Sequence, residues 1–396
     1  MADVLHSDVI VVGAGPAGAA ASYDLAAAGF RVSLLDRRSF PRQKACAGGV
    51  TVKALNRLRF SIAPVIRFVA RDLQVSLNQD LRTTFKSKHP IAALTVREEL
   101  DDFCLKQAQA KGAQFSLVSN LAKIVESDDS VRVETSDGRI FEASYLVGAD
   151  GANSRVRRLM GCAKVASAFA VEGLVPIANA MPASRMYLDF AAVPDGYGWV
   201  FPKGDHLNVG LYTRRPGLTF TRSDLEAYAR TVAGAGQIDD IIGSPLGVGG
   251  DRFQQPWTRV FLIGDAAGSA EVLLGEGIHN AIKSGQAAAA AIIRSRDKGT
   301  SAQSEFRKEL RPVKRDIGTC SDAARIFYGN TRLAYGTLRL RPSKSALMRG
   351  FAAGKTIRGI VKTAPLSPFY AIDPVADIVE FENGQAREEA ERHGGE

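Results

Sequence analysis

The sequence predicts an α/β fold: a Rossmann-like dinucleotide-binding domain, an antiparallel β-sheet domain inserted into it, and a helical C-terminal region. Three observations support this prediction. Four consecutive apolar residues, Val9 to Val12, lead into a glycine-rich turn and an alanine-rich helix, as is typical of a strand buried on both faces. Short apolar runs at 171–175 and 207–211 have the composition of strands. After residue 299, apolar residues recur at helical spacing.

The glycine-rich turn has the G-x-G-x-x-G spacing of a dinucleotide-binding site. It contains Gly13, Gly15, Pro16, Ala17 and Gly18. Gly13 permits the tight turn, Gly15 lets the backbone approach a pyrophosphate, and Gly18 lets the helix pack on the strand. Unpaired N–H groups at the helix N-terminus bind phosphate, and Asp36, after a second strand predicted at 31–35, accepts a ribose hydroxyl. Strand, helix, second strand and acidic residue all stand at the expected distances, so we predict dinucleotide binding.

Composition excludes several classes of protein. The four cysteines are scattered through the 396 residues without a C-x-x-C pair, which argues against a zinc site, an iron–sulfur cluster or a disulfide framework. We therefore assign no metal ligands. The first residues lead straight into a strand without an apolar signal core, and no run of about 18 apolar residues exists. We expect a cytoplasmic protein that does not span a membrane.

The net charge of +9 is concentrated near the C-terminus. From Arg294 to Lys362 there are 17 Lys or Arg residues against 5 Asp or Glu. This excess is typical of a solvated helical surface, but it also suits anionic lipid headgroups or a substrate carrying diphosphate. No stacking or groove-reading motif accompanies the charge, so we do not expect nucleic acid as a partner. Residues 338–360 mix apolar and basic residues as a surface-lying amphipathic segment does, and from Asn383 onward we expect a frayed end.

Two later strands also end in acidic residues, and a second glycine-rich turn precedes a helix. These features are Asp150 after 145–148, Gly264 and Asp265 after 260–263, and Gly275, Gly277 and Ile278 at the second turn. A carboxylate at a strand end accepts hydrogen bonds from cofactor hydroxyls, and a helix N-terminus stabilises negative charge. Each feature alone is a common turn, but in this order they indicate one extended cofactor site.

The loop at 37–50 is basic and ends in small residues. Arg37 follows the position where an adenosine moiety would bind, and Gly48 and Gly49 allow the backbone to approach a flat ring system. Cys46 has two interpretations. It is either a small, inert buried residue or a partly exposed thiol that acts as a tuned proton donor.

These residues together resemble a flavoprotein family. The glycine fingerprint, Asp150-Gly151 and Gly264-Asp265 resemble the FAD fold of p-hydroxybenzoate hydroxylase and its relatives. Two stretches resemble geranylgeranyl reductases more narrowly: Lys44-Ala45-Cys46-Ala47-Gly48-Gly49 is similar to their Cys-Gly-Gly segment, and Tyr197-Gly198-Trp199-Val200-Phe201-Pro202-Lys203 followed by Gly210 is similar to their Tyr-x-Trp-x-Phe-Pro motif. Residues 275–278 resemble the family's flavin-side turn. The resemblance covers roughly residues 8–290.

The sequence departs from the family pattern at three places. Tyr212 stands where the motif usually closes with a second glycine, residues 271–274 lack the usual proline, and Ala47 stands where the family often has glycine. These departures bear on the substrate more than on the cofactor.

The resemblance implies an FAD-dependent oxidoreductase that reduces carbon–carbon double bonds of a polyprenyl chain, on an isoprenoid lipid or a prenyl diphosphate, in lipid biosynthesis. It implies that Cys46 lies near the flavin as a candidate proton donor.

The resemblance also implies which residues bind the cofactor. They are the fingerprint, the strand ends and the second turn named above, with Asp36, Arg37, Lys44, Ala47, Gly48, Gly49 and Arg97. An ordinary surface charge is the alternative interpretation of Arg97. Tyr197, Trp199, Phe201 and Pro202 form either an apolar wall for the substrate or ordinary sheet core.

The electron donor and the reaction class stay open at this point. No second G-x-G-x-x-G follows a strand, so NADPH binds transiently or reduced ferredoxin delivers the electrons. The same fold also hosts FAD-dependent aromatic monooxygenases. A membrane-associated flavoprotein that passes electrons to quinone is a further alternative.

The expected domains are discontinuous. We expect an FAD-binding domain from residues 1–73, 90–160 and 252–298, a substrate-binding sheet domain from 74–89 and 161–251, and a helical, basic C-terminal region at 299–396. The basic region leaves open whether the protein also lies on the inner face of the membrane.

Overall fold

The computed structural model describes residues 4–180, 184–235 and 237–393. Within these ranges the chain forms nineteen strands and eleven α-helices. The strands are β1 (Val4–His6), β2 (Val9–Val12), β3 (Val32–Asp36), β4 (Gly49–Thr51), β5 (Ile66–Ala70), β6 (Leu73–Leu77), β7 (Asp80–Phe85), β8 (Ala92–Thr95), β9 (Gln114–Leu117), β10 (Leu121–Glu126), β11 (Val131–Thr135), β12 (Ile140–Ala143), β13 (Tyr145–Gly148), β14 (Ala166–Pro176), β15 (Met186–Phe190), β16 (Gly196–Pro202), β17 (His206–Thr213), β18 (Asp239–Val248) and β19 (Val260–Leu262). The helices are α1 (Pro16–Ala27), α2 (Val52–Leu55), α3 (Arg97–Ala110), α4 (Arg155–Leu159), α5 (Arg222–Ala233), α6 (Ile278–Lys298), α7 (Ala302–Gly329), α8 (Thr331–Leu338), α9 (Arg341–Ala352), α10 (Ile357–Thr363) and α11 (Ala376–His393).

The chain divides into two compact units. Unit 1 consists of Met1–Gln43, Asp101–Ala168 and Pro245–Ala324, and unit 2 consists of Lys44–Leu100, Phe169–Ser244 and Arg325–Glu396. These limits differ from the domain limits that we expected from the sequence. Residues 44–73 and 90–100 belong to unit 2 because β4, β8 and β5 form a separate three-stranded sheet there. Residues 299–324 belong to unit 1 because the apolar face of α7 lies in its core.

Unit 1 is built on a five-stranded parallel sheet in the order β19-β13-β2-β3-β9. The side chains of β2 alternate between two cores. Val9 and Val11 pack with α1, α6 and α7, whereas Ile10 and Val12 pack with the four-stranded sheet β1-β12-β11-β10. This placement explains the unbroken apolar run, because both faces of the strand are covered.

Unit 2 is built on a seven-stranded sheet in the order β18-β14-β17-β16-β15-β6-β7. The sheet is predominantly antiparallel, as the sequence predicts, and β15 with β6 is a parallel pair. One face is covered by α5, whose Leu225 and Tyr228 pack against Val200 and Val209. The opposite face of β16 therefore carries the alternate residues of that strand.

The C-terminal part of unit 2 is helical, from the end of α7 through α11. The expectation of a frayed end from Asn383 is wrong up to His393, because α11 continues to that residue. Ala386 and Arg387 are strong helix formers, and their propensity outweighs the polar character that suggested fraying.

The packing of α1 on α6 depends on a glycine and generates a stability prediction. A Cβ on Gly285 would overlap the carbonyl oxygen of Ala17 in α1, so Gly285→Ala forces the two helices apart. We expect a lower urea midpoint of unfolding. The free energy of unfolding should fall by about 1–3 kcal/mol, which is typical of overpacking.

Gly318→Ala is the matched control, because Gly318 also lies within a unit 1 helix and its Cβ would meet only the Asp251 side chain, at 3.8 Å. This substitution should raise stability by about 0.5–1 kcal/mol through helix propensity. Equal midpoints for the two variants would contradict the close packing of α1 on α6.

Candidate functional site

The glycine fingerprint in unit 1 forms a turn in which side chains are sterically excluded. Gly13 has φ +101°, and a Cβ there would overlap the carbonyl oxygen of Ala149 at the end of β13. A Cβ on Gly18 would overlap the carbonyl oxygen of Gly13 itself. Helix α1 begins at Pro16, and Gly15 at its N-cap supplies no side chain to bind the first-turn N–H groups. The helix N-terminus is therefore open to an anion.

Asp36, at the end of β3, is fixed beside this turn. Its Oδ2 accepts the N–H of Ala14 at 2.8 Å, and its Oδ1 accepts the N–H of Arg38 at 3.0 Å. Each carboxylate oxygen keeps a second lone pair. The buried carboxylate can therefore accept a ribose hydroxyl without losing the bonds that orient it.

Arg42 is a residue that sequence reasoning missed. A Cβ built on Gly15 would have Nη2 of Arg42 as its nearest neighbour, at 3.5 Å. The same Nη2 atom lies 3.5 Å from Oδ2 of Asp101, which is buried. The guanidinium also lies over the Phe40 ring, 4.8 Å from its centroid. A guanidinium beside an open helix N-terminus suits a diphosphate. The basic character of the 37–50 loop was the available signal, whereas Arg37, the residue that we singled out, is exposed.

The ends of β13 and β19 meet the fingerprint, as parallel strands allow. A Cβ on Gly13 would lie 2.9 Å from Cα of Asp150, and one on Gly264 would lie 3.0 Å from Cβ of Ala17. Asp265 accepts the N–H of Gly247 at 3.3 Å through Oδ2.

Asp150 has a structural task in addition to its predicted role. Its Oδ1 accepts the Ser154 hydroxyl at 2.5 Å, and its Oδ2 accepts the N–H groups of Arg155 and Val156 at 2.6 and 3.0 Å. Burial raises the pKa of the Asp150 carboxyl, and these hydrogen bonds oppose the shift. The carboxylate therefore holds the beginning of α4 against the end of β13.

The second glycine-rich turn is held by Glu271, another residue that we did not assign. Its Oε2 accepts the N–H of Leu273 at 2.7 Å, and its Oε1 accepts the N–H groups of Leu274 and Glu276 at 2.9 and 3.1 Å. The turn lacks the proline that the resemblance led us to expect. Three bonds to one buried carboxylate supply the rigidity in its place. Gly277, which follows, would carry a Cβ 3.6 Å from Oδ1 of Asp265.

The cysteine segment in unit 2 is a tight turn clamped to the end of β8. Gly48 has φ +65°, and a Cβ there would overlap the carbonyl oxygen of Thr95. Thr95 donates its N–H and its hydroxyl to the Gly48 carbonyl, at 2.9 and 3.1 Å. The N–H of Gly48 points to Sγ of Cys46 at 3.4 Å. The turn thus presents a half-buried thiol with one backbone donor.

Lys203 joins this turn to the aromatic motif. Its ammonium donates to the carbonyl oxygens of Ala47 at 2.6 Å and Thr95 at 2.9 Å. The motif ends at Pro202, so Lys203 is the residue directly after β16. Segments about 150 positions apart in sequence are therefore bonded to each other.

The aromatic side chains of the motif share one face of β16, as predicted. The Tyr197 ring lies 6.1 Å from Trp199 and 5.1 Å from Tyr212, between ring centroids. Gly210 lies under the Trp199 indole, where any Cβ would overlap the ring. A Cβ on Gly49 would meet the Phe201 ring at 3.4 Å. All three aromatic residues of the motif are buried, and Tyr212, the departure from the family pattern, is fully buried among them.

Two further predicted residues of unit 2, Arg97 and Lys44, have defined surroundings in the structure. Arg97 is buried at the beginning of α3, and Lys44 donates to the hydroxyl of Ser244 at 2.8 Å. Burial lowers the pKa of Lys203 to about 8 and raises the pKa of Glu172, a buried carboxyl on β14. Neither Lys203 nor Glu172 was assigned from the sequence, since their importance comes from burial, which has no local signature.

The predicted site residues thus form two groups. The unit 1 group is Gly13, Gly15, Pro16, Ala17, Gly18, Asp36, Arg37, Asp150, Gly264, Asp265, Gly275, Gly277 and Ile278. The unit 2 group is Lys44, Cys46, Ala47, Gly48, Gly49, Arg97, Tyr197, Trp199, Phe201 and Pro202. Among the described residues, no cluster of three or more His, Cys, Asp or Glu side chains is arranged to hold a metal ion.

The parallel sheet, the open fingerprint helix and the carboxylate at the end of β3 define a nucleotide-binding flavoprotein, and the FAD binding domain family matches residues 6–200. Geranylgeranyl diphosphate reductase from the chloroplast of Oryza sativa is 31% identical over 329 residues, covering 76% of this chain and 70% of that protein. Digeranylgeranylglycerophospholipid reductase 2 of Methanosphaera stadtmanae is 30% identical over 310 residues, covering 71% and 76%. The chain therefore belongs to the geranylgeranyl reductase family of FAD-dependent oxidoreductases.

A solved structure agrees on the fold. The geranylgeranyl bacteriochlorophyll reductase-like protein of Thermoplasma acidophilum superposes with a TM-score of 0.73 at 19% identity, over 96% of this chain and 100% of that one.

The residues of unit 1 fit FAD. A Cβ on Gly13 or Gly18 would overlap the backbone, the N-terminus of α1 is uncapped, and the Arg42 cation lies beside Gly15, where a diphosphate would fit. Asp36 is oriented for a ribose hydroxyl.

Glu271 provides a test of the second turn. Glu271→Ala removes the acceptor of three half-buried backbone N–H groups, and an N–H left without a partner away from water costs up to about 1–3 kcal/mol. We expect the Kd for FAD, measured by flavin fluorescence on the apoprotein, to rise at least about tenfold.

Glu271→Gln keeps one acceptor oxygen and should lie between wild type and Glu271→Ala. An unchanged Kd in both variants would contradict the role of this carboxylate in the cofactor site.

Proposed function

We propose that this protein is an FAD-dependent reductase that saturates carbon–carbon double bonds of a polyprenyl chain carried on a lipid or a diphosphate. The observation that carries the proposal is the bonding of the cysteine turn to the aromatic motif through Lys203. Both segments resemble motifs of the family, and Lys203 bonds one to the other. Relatives named for geranylgeranyl diphosphate and for digeranylgeranylglycerophospholipid support the substrate class.

Saturation of a double bond requires a hydride at one carbon and a proton at the other. Reduced FAD, when bound, supplies the hydride. We assign the proton to the thiol of Cys46, which is half-buried and receives the N–H of Gly48 at 3.4 Å. That donor stabilises the thiolate left after proton transfer.

The aromatic face of β16 supplies an apolar wall in this proposal. Tyr197, Trp199 and Phe201 lie on the face of the strand opposite to α5, and Phe201 adjoins Gly49 of the cysteine turn. Rings in rigid packing present a surface of fixed shape to a flexible chain. Tyr212 adds a ring where the resemblance leads us to expect glycine, so we propose a narrower wall in this protein.

We infer that the electron donor, NADPH or reduced ferredoxin, binds only transiently. The sequence contains one G-x-G-x-x-G after a strand, and FAD takes that site.

We also propose that the C-terminal helices contact an anionic membrane surface. No helix in the described part of the chain is long and apolar enough to cross a bilayer. From Arg325 to Ile372 there are nine Lys or Arg residues and no Asp or Glu. In the same stretch several apolar side chains are more than half exposed: Ile326, Leu333, Leu340, Val361 and Leu366. Exposed apolar groups among cations are typical of interfacial segments.

An anaerobic experiment tests the reductase activity. The purified flavoprotein is reduced with dithionite and mixed with geranylgeranyl diphosphate. We expect the flavin to reoxidise while mass spectrometry detects two hydrogen atoms added for each saturated bond. Flavin that stays reduced with all prenyl diphosphates and prenyl lipids offered, and reoxidises with hydroxylation of an aromatic substrate when oxygen enters, would indicate a monooxygenase.

Cys46→Ser is the matched variant in that experiment. It should retain FAD but slow substrate-dependent reoxidation by at least about tenfold, because general acid catalysis contributes about 10²–10⁴-fold. Cys162→Ser is the control, since Cys162 is the other half-buried cysteine and lies in unit 1. Equal rates in both variants would remove Cys46 from the mechanism.

Liposome sedimentation tests the membrane proposal. Replacement of Arg339, Arg341 and Arg349 by Gln should reduce binding to phosphatidylglycerol vesicles at low salt by about 100-fold, because each cation contributes about 1 kcal/mol and every 1.4 kcal/mol is a factor of about ten. The control replaces three exposed cations of unit 1, Lys123, Lys164 and Arg252, by Gln and changes the net charge equally. Equal loss in both variants would indicate nonspecific attraction and overturn the assigned surface.

A further inference from the structure

The loop that carries Cys46 is held by a buried cation. The ammonium of Lys203, 2% exposed, donates to the carbonyl of Ala47, the residue after the cysteine, and to the carbonyl of Thr95. Both acceptors are neutral, so the positive charge is not cancelled by them. Electrostatic attraction links this ammonium to the thiolate form of Cys46 and also to the carboxylate form of Glu172.

A buried carboxyl that belongs to another strand contacts the same loop. Glu172 on β14 accepts the N–H of Cys46 and a hydrogen bond from Asn208, and its Oε2 is buried without a hydrogen-bond partner in the described part of the chain. Asn208 is oriented by Trp199, whose Nε1 donates to Oδ1 of Asn208 at 2.7 Å, so that the amide nitrogen is left for Glu172. The aromatic motif thereby reaches Cys46 through a chain of hydrogen bonds.

We propose that Lys203 and Glu172 are positioning residues for the thiol of Cys46: the ammonium stabilises its thiolate, and the carboxyl opposes the thiolate whenever it is ionised. Charged groups reach the loop from three elements, with Lys203 after β16, Glu172 on β14 and Arg97 at the beginning of α3. Burial favours the neutral form of Glu172, whereas Lys203 and, less strongly, Arg97 favour its ionised form.

The proposal predicts the pH range in which Lys203 stabilises the thiolate of Cys46. Burial lowers the pKa of Lys203 to about 8, so below that pH the ammonium is present and supports the thiolate, and above it the support fades. Burial raises the pKa of Glu172, so its opposing charge is weakest at low pH and grows as pH rises. In catalysis the thiolate that remains after proton donation is then best stabilised below about pH 8. Only this last consequence rests on the proposed function.

Alkylation of Cys46 by iodoacetamide between pH 6 and 10 tests the proposal. The holoprotein carries Cys162→Ser, which leaves Cys46 as the only half-buried cysteine in the described ranges, since Cys104 and Cys320 are buried. Mass spectrometry identifies the alkylated residue. In this background we compare Lys203→Met, which keeps most of the apolar stem, with Glu172→Gln, which keeps an acceptor for the N–H of Cys46.

The two variants should change the rate at pH 7 in opposite directions. Lys203→Met should slow alkylation at least about threefold and move the half-maximal rate to higher pH, and Glu172→Gln should accelerate it and move the half-maximal rate to lower pH. A structural role alone would change both rates in the same direction through exposure of the loop. Changes of the same sign, or an unchanged profile in Lys203→Met, would overturn the proposal.

Circular dichroism and FAD content monitor folding of each variant, and Lys203→Arg, which restores a cation, should recover part of the rate if it folds. The test uses no prenyl substrate. Opposite shifts in alkylation without prenyl reduction would therefore reject the proposed function and retain the link between Lys203, Glu172 and Cys46.

Discussion

Close backbone contact at the glycine fingerprint is the constraint on which unit 1 depends. Gly13 and Gly18 lie where any Cβ would overlap a carbonyl oxygen, of Ala149 and of Gly13 respectively. The absence of side chains lets α1 begin directly over the ends of β2 and β13. Because the parallel strands end at one edge, Asp36 and Asp265 reach the same region from different strands. The cofactor cradle is therefore a consequence of the sheet and of a few missing side chains.

Unit 2 depends instead on a buried cation. An ammonium removed from water is costly unless its donors are satisfied, and Lys203 has two carbonyl acceptors at short distance. Removal of either the cation or the turn would leave polar groups unpaired. This mutual dependence ties the cysteine turn to the aromatic strand, and Glu172 and Asn208 extend the same polar network to Trp199. The proposed proton donor and the proposed apolar wall thus share one set of contacts.

These contacts give a physical account of two places where the sequence departs from the motifs that it resembles. Gly210 is required because the Trp199 indole covers it, whereas the next motif glycine is replaced by Tyr212, whose ring fills space beside Tyr197. The proline absent from the second turn is offset by the carboxylate of Glu271, which accepts three backbone N–H groups. One departure adds a ring to the aromatic face of β16, and the other leaves the second turn held by three hydrogen bonds.

The sequence by itself determined the elements whose signals are local: the β2-α1-β3 unit from glycine spacing, the common face of Tyr197 and Trp199 from strand alternation, and the apolar face of α7 from helical periodicity. It did not determine which core α7 joins, or that Arg42, Glu172, Lys203 and Glu271 lie beside the predicted site residues. Those features arise from contacts between distant segments, where burial and hydrogen-bond partners exist only after folding. Tertiary structure alone brought Lys203 to the carbonyl of Ala47, because no periodicity links positions so far apart in the chain.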